Sequence, residues 1–388
     1  MNKNKFAHNF EFQKLITTFA NLILLCLNVM TKVKRPYLIP AACVYGFFMR
    51  IRNFLFDIGI IKEKTFSDVL IVNVGNLSVG GTGKTPHTEF LINKLADNHK
   101  VAVLSRGYNR KTKGFRVAKA GDTSQTVGDE PLQFFSKFKN IVVAVDENRC
   151  IGISNILKLY PKIEIIILDD AFQHRFVKPD INIMLTDYFD MYNDDFMFPA
   201  GNLREHAVNV KRADFVIVTK CDWPLSPIIK HSMTDTLKLR KDQQLLFSSI
   251  VYDKIKPVAA FEDFDTSNKK YTTAVCFSGI ANNYWFIQKV KSVFDDVEII
   301  EYQDHHEYSV DDVNYIVKKY KDNYGNRKVI ITTEKDAMRL NSNDLRPLIK
   351  DVPIYYLPIY IYFHDNGEKL LMDKIENILK QKKQSSHL

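Results

Sequence analysis

The segment Val69-Leu-Ile-Val-Asn-Val-Gly-Asn-Leu-Ser-Val-Gly-Gly-Thr-Gly-Lys-Thr85 restricts the possible folds more than any other part of the chain. An apolar run, a glycine-rich turn and a Lys-Thr pair, in that order, read as strand, phosphate loop and helix start. Residues without a Cβ let successive N–H groups curl around a phosphate, and Gly80, Gly81 and Gly83 supply that freedom. The candidate nucleotide contacts are Ser78, Val79, Gly80, Gly81, Thr82, Gly83, Lys84 and Thr85. Lys84 would reach the β- and γ-phosphates, and the Thr85 hydroxyl would ligate Mg2+. Ser78 stands where the motif normally begins with glycine. A plain flexible turn would need neither the apolar strand before it nor the intact Gly-Lys-Thr. The expected ligand is a nucleoside triphosphate, and the loop is silent on what receives the phosphate.

A second motif supports this reading. In Ile163-Glu-Ile-Ile-Ile-Leu-Asp-Asp-Ala-Phe-Gln-His174 a buried strand ends in acids, the arrangement that sets a carboxylate beside Mg2+. The pair Asp169-Asp170 could equally cap a helix, and both readings can hold together. Thr219-Lys220-Cys221-Asp222, after the apolar run Phe215–Thr219, matches the guanine-reading [NT]KxD motif. Four-residue matches are cheap, so GTP stays the minor alternative to ATP.

Apolar runs at 69–74, 101–104, 141–145, 163–168, 181–186 and 215–219 alternate with helix-length segments such as 85–98 and 147–160. That rhythm means βαβ units and a mainly parallel sheet. A second series follows a polar patch at 263–270. The fold class is therefore α/β, of the P-loop NTPase type, with a second, smaller α/β domain and an N-terminal amphipathic helical segment. The expected organisation is an extension (1–34), an interfacial helical segment (35–64), the P-loop domain (65–250), a smaller domain (251–352) and a C-terminal strand and helix (353–388). The helix of this last part, Leu370–Lys383, would pack back on the P-loop domain.

Charge adds location. Over residues 1–64, ten Lys or Arg stand against three acids, giving +7 of the net +9. A nucleic-acid binder would spread its charge over a folded face, so no nucleic-acid partner is expected. An apolar segment with Arg50 and Arg52 among Tyr37, Tyr45, Phe47, Phe48, Phe54 and Phe56 suits an anionic membrane surface. An ordinary core helix is the alternative. The run 15–31 is marginal for a span. Five dispersed cysteines without a CxxC point to a reducing compartment and no zinc site.

Taken together, the motifs resemble the tetraacyldisaccharide 4'-kinase family. The matching pieces are Val74–Pro86, Leu104–Tyr108 with Lys111–Phe115, Val127-Gly-Asp-Glu-Pro131 and Leu168–His174. They continue with Pro199-Ala-Gly-Asn-Leu-Arg-Glu205, Ala213–Lys220, Asp304-His-His306 and Thr333-Glu-Lys-Asp336. The resemblance starts near Arg35, which raises Met30 as an alternative translation start. It implies transfer of the ATP γ-phosphate to the 4'-hydroxyl of tetraacyldisaccharide 1-phosphate, at the cytoplasmic face of the bacterial inner membrane, in lipid A biosynthesis. It also implies roles: Asp129 as the base for the sugar hydroxyl with His305 as dyad partner, and Glu205 near the metal with Asp170. Asp169, His174, Arg204, Lys335 and Asp336 become further substrate or supporting residues. On residues alone, Asp129 reads as a helix cap and His174 as a structural histidine. The basic stretch 105–120 adds Arg106 and Arg110 as substrate candidates. No obligate protein partner is implied, and a P-loop GTPase or ATPase acting as a metal or protein chaperone is the alternative function.

Overall fold

The computed structural model describes residues 33–258, 271–280, 282–304, 306–324, 327–340 and 344–385. In chain order the elements of the first part are α1 (Ile39–Asp57), β1 (Leu70–Asn76), α2 (Lys84–Leu95), β2 (Val101–Ser105), β3 (Arg116–Val117), α3 (Ser124–Val127) and α4 (Asp129–Lys137). Then come β4 (Val142–Val145), α5 (Arg149–Leu159), β5 (Ile165–Asp169), β6 (Ile181–Asp187), β7 (Phe215–Thr219), α6 (Pro227–Leu237), β8 (Gln244–Tyr252) and β9 (Lys256–Pro257). The remainder holds β10 (Thr273–Ser278), α7 (Tyr284–Val293), β11 (Asp296–Glu301), α8 (Val310–Asp322), β12 (Lys328–Thr333) and α9 (Glu334–Arg339). The chain closes with α10 (Arg346–Ile349), β13 (Ile354–Leu357), β14 (Ile359–Phe363) and α11 (Gly367–Ser385).

Nine strands form one sheet in the order β14-β8-β7-β6-β1-β5-β2-β4-β3. Its interior is parallel, with Val72 of β1 opposite Ile167 of β5 and Ile181 of β6, while β3 and β14 run antiparallel at the edges. Strands covered on both faces need apolar residues at every position, which is why β1, β2 and β5 read as unbroken runs. Leu70, Val72 and Val74 face a core with Leu91, Leu95, Ile375 and Leu379. Ile71, with Leu104 and Ile166, faces the opposite core with Ile153 and Ile156 of α5. The period of two thus divides one strand between two helical layers.

The second sheet has the order β11-β10-β12-β13-β9 and is parallel except at β9. Its strand β13 extends the smaller unit to Leu357, beyond the expected end at 352. Pro358 marks the crossing, and β14 then joins β8 in the first sheet. The expected single C-terminal strand is therefore two strands in two sheets, divided by a proline that cannot donate to either ladder. At the same place the Asp253 N–H donates to the Pro358 carbonyl at 3.0 Å, so the outgoing and returning chains lie side by side.

The N-terminal apolar block forms one helix, α1, whose inward face mixes apolar and polar side chains, with Phe56 and Ala42 buried alongside Asn53. Asn53 Nδ2 donates to Glu205 Oε2 (2.8 Å), the Tyr45 hydroxyl to the Arg204 carbonyl (2.9 Å) and Arg52 Nη2 to the Gln173 carbonyl (2.9 Å). These polar groups face the protein, while Phe47, Phe48 and Phe54 leave 61%, 63% and 58% of their surface exposed. Among the described residues no helix is long and apolar enough to cross a membrane. The run 15–31 and Met30 lie outside the described residues.

Candidate active site

The C-terminal end of β1 and the start of α2 build the phosphate loop. Gly83, the residue before α2, has φ +88°, a left-handed conformation that a side chain would strain. The loop is braced from three directions. Asn76 Nδ2 donates to Thr82 Oγ1 (2.9 Å), the Thr219 hydroxyl donates to the Thr82 carbonyl (2.9 Å), and the Val79 N–H donates to the Asn202 carbonyl (2.7 Å). Thr219 at the end of β7 thus supports the phosphate loop. Lys220 pairs with Asp187 at 2.6 Å, which gives Thr219-Lys220 a structural role in place of guanine reading. Ser78 forms an antiparallel bridge with Leu203, so the Pro199–Glu205 segment runs alongside the loop. Thr85 is buried at the start of α2, and Gly80, Gly81 and Val79 lie at the surface.

That pairing delivers Arg204 to the acid at the end of β5. Arg204 Nη1 lies 3.0 Å from each Asp170 oxygen, and Lys84 Nζ lies 3.7 Å from Oδ2. Burial alone would raise the Asp170 carboxyl, but Lys84 and Arg204 hold it below the usual carboxylate range. Its neighbour Asp169 behaves oppositely. Burial, then the negative charges of Glu130 and Asp170, push Asp169 up to about 7, although Ser105 Oγ donates to it at 3.2 Å. Lys84 is lowered by burial against the opposing pull of Asp170. Lys84 and Arg204 thus gather positive charge around one ionised acid beside the phosphate loop, which favours a further anion there.

Asp129 and Glu130 open α4 and face α9 of the second unit. Gly128, immediately before them, has φ +97° and closely approaches Gly107. Lys335 Nζ bonds Glu130 at 3.0 Å, and Arg339 grips Asp129 Oδ2 through Nε (3.3 Å) and Nη2 (2.9 Å). Burial raises the Glu130 carboxyl, but Lys335 outweighs it and the net direction is down. Ser124, Asp129, Gln133, Lys335 and Arg339 line one crevice at this contact. Asp336 is fully buried and accepts from Thr333 Oγ1 (2.6 Å), the Gly279 N–H (3.0 Å) and Arg339 Nη1 (2.9 Å), a supporting position. His305 lies outside the described residues. Its neighbour His306 pairs with Asp312 at 3.0 Å and stacks on Tyr302.

His174 is a structural acceptor. Its Nε2 receives the Arg149 N–H at 3.3 Å, and burial with Arg149, Arg52 and Arg106 drives the ring down to about 4, so it is neutral near pH 7. Arg106 itself is exposed at the end of β2.

Two expected site residues are engaged by protein groups. Arg110, expected to meet substrate, has a side chain only 2% exposed that donates to Glu147 (2.6 Å) and to the Gly114 carbonyl (2.7 Å). It ties the basic loop to the segment after β4, where the Glu147 carboxylate satisfies it. Glu205, expected near the metal, is fully buried with both oxygens engaged. Oε2 accepts from Asn53 and Asn209, and Oε1 pairs with Arg212 at 3.0 Å. It anchors α1 in this arrangement.

Arg149, Glu130 and Arg339 were absent from the sequence reading. Glu130 sits beside Asp129 and could have been paired with it. Arg149, in Asp146-Glu-Asn-Arg149 after β4, donates to the carbonyls of Asp169 (3.3 Å) and Asp170 (3.5 Å). Its position at the C-terminal end of a parallel strand was a usable signal. Arg339 carries no local signal at all.

Comparison with known proteins places the chain among relatives. The family model described as tetraacyldisaccharide-1-P 4'-kinase matches residues 34–379. The tetraacyldisaccharide 4'-kinase of Bacteroides thetaiotaomicron is 43% identical over 333 residues, covering 82% of this chain and 87% of that protein. The same-named protein of Flavobacterium johnsoniae is 43% identical over 325 residues, covering 84% and 92%. The crystal structure of LpxK from Aquifex aeolicus in complex with ATP matches with a TM-score of 0.68 at 27% identity, over 89% of this chain and 99% of that one.

Proposed function

The chain belongs to the tetraacyldisaccharide 4'-kinase family, and on that premise we propose that it phosphorylates the 4'-hydroxyl of tetraacyldisaccharide 1-phosphate with ATP. The observation that carries this reading is the facing of two sets of groups. The phosphate loop, with Lys84 and Asp170, stands on one side, and Asp129, gripped from the second sheet, stands on the other, with Glu130 and Asp169 linking them electrostatically. A nucleotide hydrolase or chaperone needs the first set and has no use for the second.

In this mechanism the loop N–H groups and Lys84 bind the β- and γ-phosphates of ATP. The sugar hydroxyl gives its proton to the Asp129 carboxylate as its oxygen bonds the γ-phosphorus. The bond from that phosphorus to the β,γ-bridging oxygen breaks, and ADP leaves with the electron pair. Mg2+ would be held by the Thr85 hydroxyl and Asp170. This donor set fits an ion that keeps several waters and shares phosphate oxygens, rather than one needing an all-protein cage. Bound there, it would neutralise charge developing on the transferring group. Arg106, exposed beside the site, is assigned to substrate anion contacts, and the two sheets act as two domains hinged where Asp253 meets Pro358.

The exposed aromatic face of α1, with Arg50 beside it, supports peripheral docking on an anionic bilayer. A cytosolic inner-membrane face, where ATP and a lipid acceptor meet, is the matching location. Incubating detergent-solubilised protein with ATP, Mg2+ and the disaccharide 1-phosphate tests the reaction, with the 4'-phosphorylated lipid as product. Asp129→Ala should cut turnover by about 100-fold or more while ATP affinity changes little. An active preparation that forms no such product would defeat the proposal.

A further inference from the structure

We infer that Arg339 is the positioning residue for Asp129, holding the proton acceptor in its working orientation from the opposite unit. The inference rests on the reading above that Asp129 accepts the sugar proton.

Asp129 is the first residue of α4, directly after the N-cap Gly128, and its carboxylate faces α9 of the second unit. A proton acceptor has to sit within hydrogen-bond reach of the hydroxyl, and a misplacement of about 1 Å costs on the order of 100-fold in rate. A two-donor contact from α9 holds that carboxylate. Arg339 Nε and Nη2 both meet Asp129 Oδ2, so one carboxylate oxygen is fixed by a two-pronged contact. The guanidinium plane is itself set within its own unit, because Nη1 donates to Asp336 Oδ1 and to the Gly279 carbonyl, both at 2.9 Å. Gly279 is closely enclosed, since a Cβ there would meet the Gln303 carbonyl, His306 Cβ and the Tyr308 hydroxyl, each at 3.2 Å. The Arg339 side chain is only 6% exposed. Burial alone would weaken the cation, but Asp129 and Asp336 more than offset it, so the group stays charged.

Other contacts already bind the two helices together. Lys335 meets Glu130, and Lys137 meets both Glu89 (2.7 Å) and Glu334 (2.9 Å). Arg339 differs from them in touching the reacting carboxylate. A planar fork with donors in fixed directions holds Asp129 Oδ2 by two N–H groups while bonding Asp336 and a carbonyl, which sets the orientation more rigidly than a freely rotating ammonium would. Because it belongs to the second unit, the orientation of Asp129 depends on that unit being in place.

The test is a double-mutant cycle on the full chain in detergent, with ATP, Mg2+ and the disaccharide 1-phosphate. Arg339→Gln is expected to lower kcat about 30-fold with the KM for ATP within about 2-fold, since only the acceptor geometry is disturbed. In an Asp129→Asn background the same change should alter the residual rate by less than about 2-fold, because the group it positions is already disabled. Arg339→Lys keeps a charge between the two carboxylates, and so the fold, and should lose about 10-fold with the same cancellation. Equal losses in both backgrounds, for either variant, would overturn the positioning role. Near-full turnover of Asp129→Asn alone would instead remove the proton-acceptor reading and the positioning role with it.

Discussion

Two adjacent aspartates illustrate how environment sets chemistry at the scale of single residues. Asp169 and Asp170 share one strand end, yet burial and neighbouring acids raise the first to about 7 while two cations keep the second ionised. His87 gives the same lesson with a stability consequence. Its Nδ1 lies 2.7 Å from the Gly83 carbonyl, which can only accept, so that nitrogen carries the proton and Nε2 accepts from Ser248 Oγ at 3.0 Å. Burial lowers the ring to about 4 from 6.5. A depressed histidine binds its proton more tightly when unfolded, so its contribution is complete above about 6.5 and is lost as pH falls towards 4. At pH 5 the loss is about 2 kcal/mol, at 1.36 kcal/mol per pKa unit. Urea unfolding at pH 7 and pH 5 should show that loss, with His174 adding to it. His87→Gln, which keeps a donor and an acceptor, should remove the His87 share. An unchanged pH dependence in that variant would refute the assignment.

At the scale of elements, α1 packs Asn53, Tyr45 and Arg52 inward beside the buried Phe56 and leaves Phe47, Phe48 and Phe54 outside. The sequence showed the aromatics among arginines, but not which side would face the protein. That choice is made by the buried Glu205 carboxylate, which needs Asn53 as one of its donors. Phe47, Phe48 and Phe54 therefore contribute little to the fold, and their triple replacement by Ser should shift the unfolding temperature by less than about 3 °C. Binding to vesicles containing anionic lipid should nevertheless fall by about 100-fold, since each phenyl group is worth roughly 1–2 kcal/mol once removed from water. Unaltered sedimentation with vesicles would exclude this face as the docking surface. The antiparallel contact of α4 with α9 was not foreseen. Its charges alternate between helices over 200 residues apart in sequence, and no local pattern reports such a pairing.

At the scale of the whole molecule, the C terminus completes the first sheet rather than trailing from the second. β14 caps the open edge of β8, and Leu371, Ile375 and Leu379 of α11 enter the core beneath α2 and β1. Their burial is worth roughly 5–8 kcal/mol, comparable to the net stability of a typical domain. Truncation after Leu357 should therefore abolish soluble, cooperatively folded protein, and Ile375→Asp should do nearly the same. A truncated chain with a cooperative thermal transition and intact ATP binding would contradict this view of the fold.

The line between what was legible in the chain and what was not follows sequence distance. The phosphate loop, the acid-ending strand and the αβ rhythm could be read directly, because strand, turn and helix signals within a few tens of residues specify them. The resemblance to a kinase family added Asp129 as the acid of interest. The partners of Glu205 and Arg110 were not legible, because Asn53 and Glu147 lie elsewhere in the chain. The grip of Arg339 on Asp129 spans 210 positions. Such a contact exists only once two sheets, joined by strands that cross at Asp253 and Pro358, have folded against each other. Phosphate binding is a local property of backbone and glycine, whereas the orientation of the acid that would take the proton is a property of the assembled interface.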